Sequence, residues 1–134
     1  MNFARTNRHA KAPTRKHSTD AGLDLYALKR YIIKPHESEV VRTGIALELP
    51  EGTMGLIKPK SCHQRLVGAG VVDDSYRGEI KVRIYNTNAR NLYIGAHEAV
   101  AQLVVVPILT PKVSLVPFGT LQKTERGKTG GING

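Results

Sequence analysis

The apolar residues of this chain never keep a helical period for as many as three turns, and short strand-like runs occur instead. The clearest covers residues 79–86 (EIKVRIYN), where polar and apolar side chains alternate with period two, as in a strand with one buried face. Residues 101–109 are apolar almost throughout, which predicts a strand covered on both faces that ends near Pro107. Further runs cover residues 23–27, 31–33, 40–41, 45–49 and 55–57, separated by turn residues at 34–36, 50–52, 68–70, 73–78 and 86–91. This spacing predicts an all-β sandwich or jelly roll with little or no helix.

Length and composition predict a single domain. We expect one β domain over residues 1–124 of the 134, followed by a flexible glycine-rich tail over 125–134. The single cysteine, Cys62, excludes an internal disulfide and a cysteine-built zinc site. No apolar run approaches the roughly 20 residues of a membrane span, and no apolar stretch follows the basic N-terminus as in a secretory signal. We therefore expect a cytoplasmic protein without membrane association.

The chain is strongly basic, with 20 Lys and Arg against 11 Asp and Glu. The basic residues form an N-terminal cluster (Arg5, Arg8, Lys11, Arg15, Lys16), a central one (Lys58, Lys60, Arg65) and a C-terminal one (Lys123, Arg126, Lys128). Nucleic acid or a compact phosphate ligand are the partners that this charge favours. Because the clusters are far apart in sequence and no base-stacking aromatic motif accompanies them, we expect no specific nucleic-acid binding. For any one cluster, a merely solvated surface remains open.

Three segments carry residues suited to chemistry. Residues 67–78 combine glycines, two carboxylates, a hydroxyl and an aromatic ring at a turn between strands, although a plain polar hairpin tip would use similar residues. Asp24 lies between Leu23 and Leu25, so its carboxylate needs a partner, a metal or a functional role. The tail sequence GKT at 127–129 is not a phosphate-binding P-loop, because Gln122 stands where that motif needs glycine. A flap over phosphates and a disordered tail both remain possible.

Five short segments in order resemble a known family. They are STDAGLDL (18–25), PKS (59–61), GVVDDSYRG (70–78), AQL (101–103) and the Arg126-Gly127 pair in the glycine-rich tail. Together they resemble the five motifs of the trimeric deoxyuridine triphosphatases (dUTPases), and the third motif is the most specific. The resemblance implies a distorted jelly roll that forms a homotrimer with active sites shared between subunits. It also implies Mg²⁺-dependent hydrolysis of dUTP to dUMP and pyrophosphate, which keeps uracil out of DNA and supplies dUMP for thymidylate synthesis.

The resemblance also implies roles for individual residues. Asp73 would orient and deprotonate the water that attacks the α-phosphorus, and Tyr76 would lie under the deoxyribose and exclude a 2′-hydroxyl. Asp24 would face the water shell of Mg²⁺. The backbone around Val67, Gly70 and Val71 would recognise the uracil edge. The phosphates would be bound by Lys60, Ser61, Cys62 and Gln102, and by Arg126 and Gly127 as the tail closes.

The chain departs from the family pattern in three motifs. Lys60 replaces the usual arginine of the second motif, and the shortened run from Ser61 to Val67 predicts that a short helix is absent. The usual Gly-Asp-Arg of the fourth motif is replaced by the sequence HEA at 97–99. The aromatic that stacks over uracil is missing, with Gly131 or Ile132 in its place.

Two other readings stay open. One is a nucleotide-binding or regulatory protein with weakened catalysis, and the other is the related family of dCTP deaminases, which the third motif disfavours. A short, divergent chain also suits a virus, in which case we expect the host cytoplasm.

Overall fold

The computed structural model describes residues 1–60 and 65–127. Within these ranges the chain forms ten strands and one 3₁₀ turn at Phe118–Thr120. The strands are β1 (Asn2–Arg5), β2 (Gly22–Tyr26), β3 (Tyr31–Ile33), β4 (Ser38–Glu48), β5 (Thr53–Lys58), β6 (Leu66–Val67), β7 (Gly70–Asp73), β8 (Glu79–Tyr85), β9 (Leu92–Ile94) and β10 (Ala99–Pro107). The predicted all-β architecture with little or no helix is confirmed. No helix in the described ranges has the length and hydropathy needed to cross a membrane.

Two four-stranded sheets enclose the core. One has the strand order β1-β4-β8-β6 and the other β2-β10-β5-β7, while β3 and β9 form a separate pair. In β8 the side chains of Ile80, Val82 and Ile84 are buried and the residues between them are exposed, as the alternating sequence predicts. They join one hydrophobic cluster with Leu25 and Leu103 of the facing sheet. Burial on the inner faces of both sheets therefore holds the domain together.

Strand β10 is covered on one face only. Ala101 and Leu103 point into the core and are fully buried, whereas Val104 and Val106 on the other face are half-buried. The register sets Val104 beside Leu56 of β5, and Leu56 beside Val71 of β7, so the outer face of this sheet carries an apolar strip. The prediction of two covered faces is therefore wrong for residues 1–60 and 65–127, because none of their strands forms a second layer on the outer side of β10.

A bulge in β4 depends on a glycine. The pairing of β4 with β8 shifts register after Arg42, and there Gly44 takes a left-handed φ of 69°. The buried Thr43 hydroxyl donates a hydrogen bond of 2.6 Å to the Ile80 carbonyl and so replaces a lost ladder contact. A Cβ on Gly44 would lie 2.7 Å from that of Ala10. Position 44 therefore excludes a side chain both by conformation and by space.

Replacing Gly44 with Ala should lower the free energy of unfolding by about 2–4 kcal/mol, which combines left-handed strain with overpacking. Gly52 is the matched control, because its φ is 77° but a Cβ there meets nothing within 4 Å. We expect Gly52→Ala to cost about 1 kcal/mol, from strain alone. Urea unfolding of both variants measures the difference, and equal losses would contradict the packing argument.

The described part of the chain beyond the last strand is largely exposed. After Pro107 the segment 109–127 lies almost entirely exposed, including large apolar side chains. Leu109 is 92% exposed, Val113 is 97% exposed and Phe118 is 75% exposed. Apolar side chains at this density are normally covered in a working assembly. The predicted boundary between domain and tail at residues 124 and 125 stays a prediction.

Candidate active site

The turn between β7 and β8 presents the third motif. Asp73 ends β7, and the Tyr76 backbone amide closes the turn on the Asp73 carbonyl at 3.1 Å. The Tyr76 hydroxyl donates a hydrogen bond of 2.9 Å to the Glu79 carbonyl, which fixes the ring across the turn. Gly78 is needed under the ring, because a Cβ there would collide with the Tyr76 hydroxyl. The sequence from Asp73 to Glu79 thus builds a rigid frame for one carboxylate and one ring.

Two further contacts anchor this turn. The Asp74 carboxylate accepts a hydrogen bond of 2.8 Å from the Gly52 amide in the neighbouring β4–β5 turn. The Arg77 guanidinium donates to the Asp74 carbonyl at 2.6 Å. Asp74 and Arg77 therefore hold the loop and leave the exposed Asp73 to face the solvent beside β7.

A groove of about 280 Å³ opens beside the turn. Its lining consists of Ile57, Gly70, Val71, Val72, Asp73, Tyr76, Glu79, Ile80 and Lys81. The groove thus combines apolar side chains and exposed strand backbone with a carboxylate, the combination that suits a flat base and a sugar. Of the predicted base-recognition residues, Gly70 and Val71 line it. Val67 does not, because its side chain is buried in the core.

A second cavity, of about 410 Å³, brings together residues of the first, second and fourth motifs. The Lys60 ammonium lies 2.6 Å from Oδ1 of Asp24, and both side chains are largely buried. This ion pair supplies the partner that a carboxylate between two leucines requires. The Gln102 side-chain amide donates to the Pro59 carbonyl at 3.0 Å. A polar cavity with an ammonium and an amide is suited to phosphate oxygens.

The two clusters lie far apart on the same outer sheet face. Gln102 of β10 pairs with Asp24 of β2 on one side and with Lys58 of β5 on the other. Asp73 of β7 pairs with Met54, which lies four residues before Lys58 on β5. Asp24 and Asp73 are therefore separated by about 13 Å along the strands and by three strand spacings of about 4.8 Å. This places them roughly 20 Å apart, with the apolar strip between them.

Glu79 supports the turn between β7 and β8, a role that the sequence did not indicate. Its carboxylate accepts hydrogen bonds from the Arg42 guanidinium at 2.8 and 3.1 Å and from the Thr6 hydroxyl at 3.0 Å. The hydrogen bonds from Arg42 hold the pKa of Glu79 below its ordinary value of 4.5, while burial opposes this shift. Because the Glu79 carbonyl accepts a hydrogen bond from the Tyr76 hydroxyl, the network ties the turn to β4 and to the residue that follows β1.

Replacing Glu79 with Gln should lower the free energy of unfolding at pH 7 by about 1–2 kcal/mol, since a charged hydrogen-bond acceptor is lost. The folded-state pKa lies below the unfolded one, so the ionised carboxylate stabilises the fold above pH 4.5. That contribution disappears as the pH falls through the folded-state pKa. Urea unfolding should therefore show a gap between wild type and variant that closes at low pH. Exposed Glu48→Gln is the control, and a gap independent of pH would contradict the assignment.

The remaining predicted site residues lie at the end of a described range or outside both ranges. Ser61 and Cys62 fall outside them, as do Lys128 and positions 131 and 132, so the missing lid aromatic and the predicted loss of the short helix are not described. Arg126 and Gly127 lie in the exposed segment that follows β10. The single chain therefore does not bring these two residues to either cavity.

Comparison with known proteins identifies the family. The family model described as dUTPase matches residues 8–132, which is nearly the whole chain. The chain belongs to the dUTPase family.

Individual relatives agree with this. The chain is 39% identical over 97% of its length to the human mitochondrial deoxyuridine 5′-triphosphate nucleotidohydrolase, of which it spans about half. The dUTPase of Staphylococcus bacteriophage 80alpha, solved with dUpNHpp, superposes with a TM-score of 0.90 at 26% identity, covering 99% of this chain and 96% of that one. A variant dUTPase from the S. aureus phage phi11, solved with a structural Mg(II) ion, gives a TM-score of 0.80 at 26% identity over 86% and 95% of the two chains.

One departure from the dUTPase pattern now has a physical explanation. His97 takes a left-handed φ of 63°, at the position where the fourth motif normally has glycine. Its ring Nε2 lies 2.7 Å from the His9 carbonyl, a contact that offsets part of the strain. The adjacent Glu98 forms an ion pair of 2.9 Å with Arg65. The side chains of the altered motif therefore hold neighbouring loops.

Proposed function

We propose that this protein hydrolyses dUTP to dUMP and pyrophosphate. The observation that carries the proposal is the third motif, held as a rigid turn with Asp73 and Tyr76 lining one groove, in a chain that matches the dUTPase family over residues 8–132. The alternative of a nucleotide-binding protein with weakened catalysis is not favoured, because Asp24, Asp73 and Tyr76 are intact and the relatives are nucleotidohydrolases.

Asp73 is the general base of the proposed reaction. Its carboxylate is exposed beside the groove and orients a water molecule towards the α-phosphorus. As the water oxygen bonds to phosphorus, Asp73 accepts the proton, and the bond from phosphorus to the bridging oxygen breaks to release pyrophosphate. Phosphoryl transfer asks the protein mainly for such positioning and for neutralisation of charge.

Substrate selection follows from the rigidity of the groove. The Tyr76 ring, fixed by its hydroxyl contact, lies under the deoxyribose and leaves no space for a 2′-hydroxyl. The backbone at Gly70 and Val71, which line the groove, recognises the edge of uracil and excludes a 5-methyl group. Exclusion of bulk by a rigid backbone discriminates more strongly than an apolar pocket, which yields only about 1–3 kcal/mol per methylene.

The described residues are compatible with Mg²⁺ brought in by the nucleotide. No group of three or more metal-ligating side chains occurs in the described ranges, but Asp24 offers a carboxylate at the phosphate cavity. Mg²⁺ commonly binds through one or two carboxylates, substrate phosphates and waters. Asp24 would hold the ion through its water shell, and the ion would neutralise phosphate charge. We assign phosphate binding to Lys60, Ser61, Cys62, Gln102, Arg126 and Gly127.

A homotrimer would complete the site. Within one chain, Asp24 and Asp73 are too far apart to act on one nucleotide, and an apolar strip separates them. A second copy that covers this strip would bring its Asp73 towards Asp24 of the first. The segment at 109–127 supports the same assembly, since its large apolar side chains lie exposed in the part of the chain that the structure describes. We further propose a cytoplasmic location without membrane or specific nucleic-acid binding.

Pyrophosphate release from dUTP, dTTP, UTP and dCTP with Mg²⁺ tests the function. We expect turnover of dUTP, with kcat/KM at least about 100-fold lower for dTTP and UTP, and loss of turnover when the metal is chelated. Ammonia release from dCTP would instead indicate a deaminase. Binding of dUpNHpp without any pyrophosphate release would favour the non-catalytic alternative.

A further inference from the structure

The N-terminal basic cluster sends one lysine into the phosphate cavity. Lys16 lines the cavity of about 410 Å³ together with Asp24, Lys60 and Gln102. None of the five dUTPase motifs includes position 16. Its presence in the cavity comes from the path of the chain before the first motif.

A bridge between two chain segments fixes this path. The Asp24 amide donates to the Thr14 carbonyl at 2.7 Å, and the Thr14 amide donates to the Asp24 carbonyl at 3.4 Å. The Thr14 hydroxyl also lies 2.5 Å from that of Tyr26. Because Lys16 follows Thr14 by two residues, the bridge holds it next to the carboxylate of the first motif.

The loop after Lys16 is also closed by hydrogen bonds. The Arg15 guanidinium donates to the Asp20 carbonyl at 3.0 Å, and the His17 amide donates to the Asp20 carboxylate at 2.9 Å. Asp20 lines the cavity too, but this same carboxylate oxygen also faces the His17 ring at 3.3 Å. Lys16 is therefore presented by an ordered loop rather than by a loose terminus.

The two lysines of the cavity differ in their partners. Lys60 is ion-paired with Asp24, whereas no ion pair or hydrogen bond between described side chains involves the Lys16 ammonium. An ammonium that is exposed at a polar cavity and has no carboxylate partner is suited to bind phosphate oxygens.

We propose that Lys16 is a further phosphate-binding residue that contacts the β- and γ-phosphates of the bound nucleotide. This inference rests on the proposed function. In the proposed trimer the nucleoside and its α-phosphate belong to the groove at Asp73 of a second copy, so Lys16 at the Asp24 cavity meets the distal phosphates. It also gives part of the N-terminal charge a role and adds a cation to a site whose second motif has lost its arginine.

Calorimetry with Mg²⁺–dUpNHpp and with dUMP tests the inference. We expect Lys16→Ala to raise the Kd for dUpNHpp by about 5- to 20-fold, the scale of one charge-assisted hydrogen bond, and to leave dUMP binding within about twofold. Lys16→Arg should restore most of the affinity. In dUTP hydrolysis, Lys16→Ala should raise KM more than it lowers kcat.

Lys34→Ala is the matched control, because it removes the same charge from an exposed turn that lines neither of the two cavities. If wild type binds dUpNHpp and Lys16→Ala binds it equally well, the inference is wrong and the proposed function stands. Equal weakening of dUMP and dUpNHpp would likewise contradict a role at the distal phosphates. If wild type binds no dUpNHpp, the proposed function itself fails.

Discussion

Replacing Asp73 with Asn is expected to lower kcat for dUTP hydrolysis by about 10²–10⁴-fold, the range contributed by a general base. The amide keeps the size and one hydrogen-bond acceptor of the carboxylate but cannot accept the proton of the attacking water. Since Asp73 is exposed at the end of β7, the fold and the groove should be preserved. The Kd for Mg²⁺–dUpNHpp should therefore change little while pyrophosphate release is lost.

Asp74→Asn provides the matched control, because it makes the same chemical change one residue further along the same turn. Its carboxylate accepts the Gly52 amide, a contact that the Asn side-chain oxygen can keep. We expect activity within a few-fold of wild type. An active Asp73→Asn variant, or equal losses in both, would remove Asp73 from the chemistry.

Mixing two inactive variants should restore activity. Asp73→Asn and Asp24→Asn each damage one of the two clusters, which we place in different subunits of a shared site. In trimers reassembled at random from equal amounts, about a quarter of the sites combine an intact Asp73 with an intact Asp24. Pyrophosphate release should therefore rise to about a quarter of the wild-type rate per site.

As a control, a chain that carries both Asp24→Asn and Asp73→Asn is mixed with either single variant. Neither of these mixtures can assemble an intact site. A site built within one chain predicts no recovery in any mixture, since every chain carries a defect. No recovery after verified exchange of subunits would thus contradict the shared site, even if both single variants are inactive.

The sequence predicts the strands that bury one face. It does not predict the strands that form only because they hydrogen-bond to a neighbouring strand. β8 alternates clearly and was found as expected, and the runs at 40–41 and 45–49 join across the Gly44 bulge into one strand, β4. By contrast β1 is exposed at all four residues, and β6 has only two. β1 has no hydrophobic signature and β6 is too short to show one, because their positions follow from hydrogen bonds to β4 and β8.

The candidate site could be predicted only as far as its motifs. The need of Asp24 for a partner follows from its apolar neighbours, but that the partner is Lys60, distant in sequence, depends on how β2 and β5 flank β10. The support of the third-motif turn by Glu79 and Arg42 depends likewise on the register between β4 and β8. The separation of the motifs into two clusters is also a property of sheet order, which the linear sequence does not contain.

Hydrolysis of dUTP in ¹⁸O-labelled water, with mass spectrometry of both products, tests the central claim most directly. Attack by an Asp73-activated water on the α-phosphorus predicts one ¹⁸O atom in dUMP and none in pyrophosphate. Label in the pyrophosphate would mean attack on the β-phosphorus and would contradict the assigned role of Asp73. The absence of both products would contradict the proposed function.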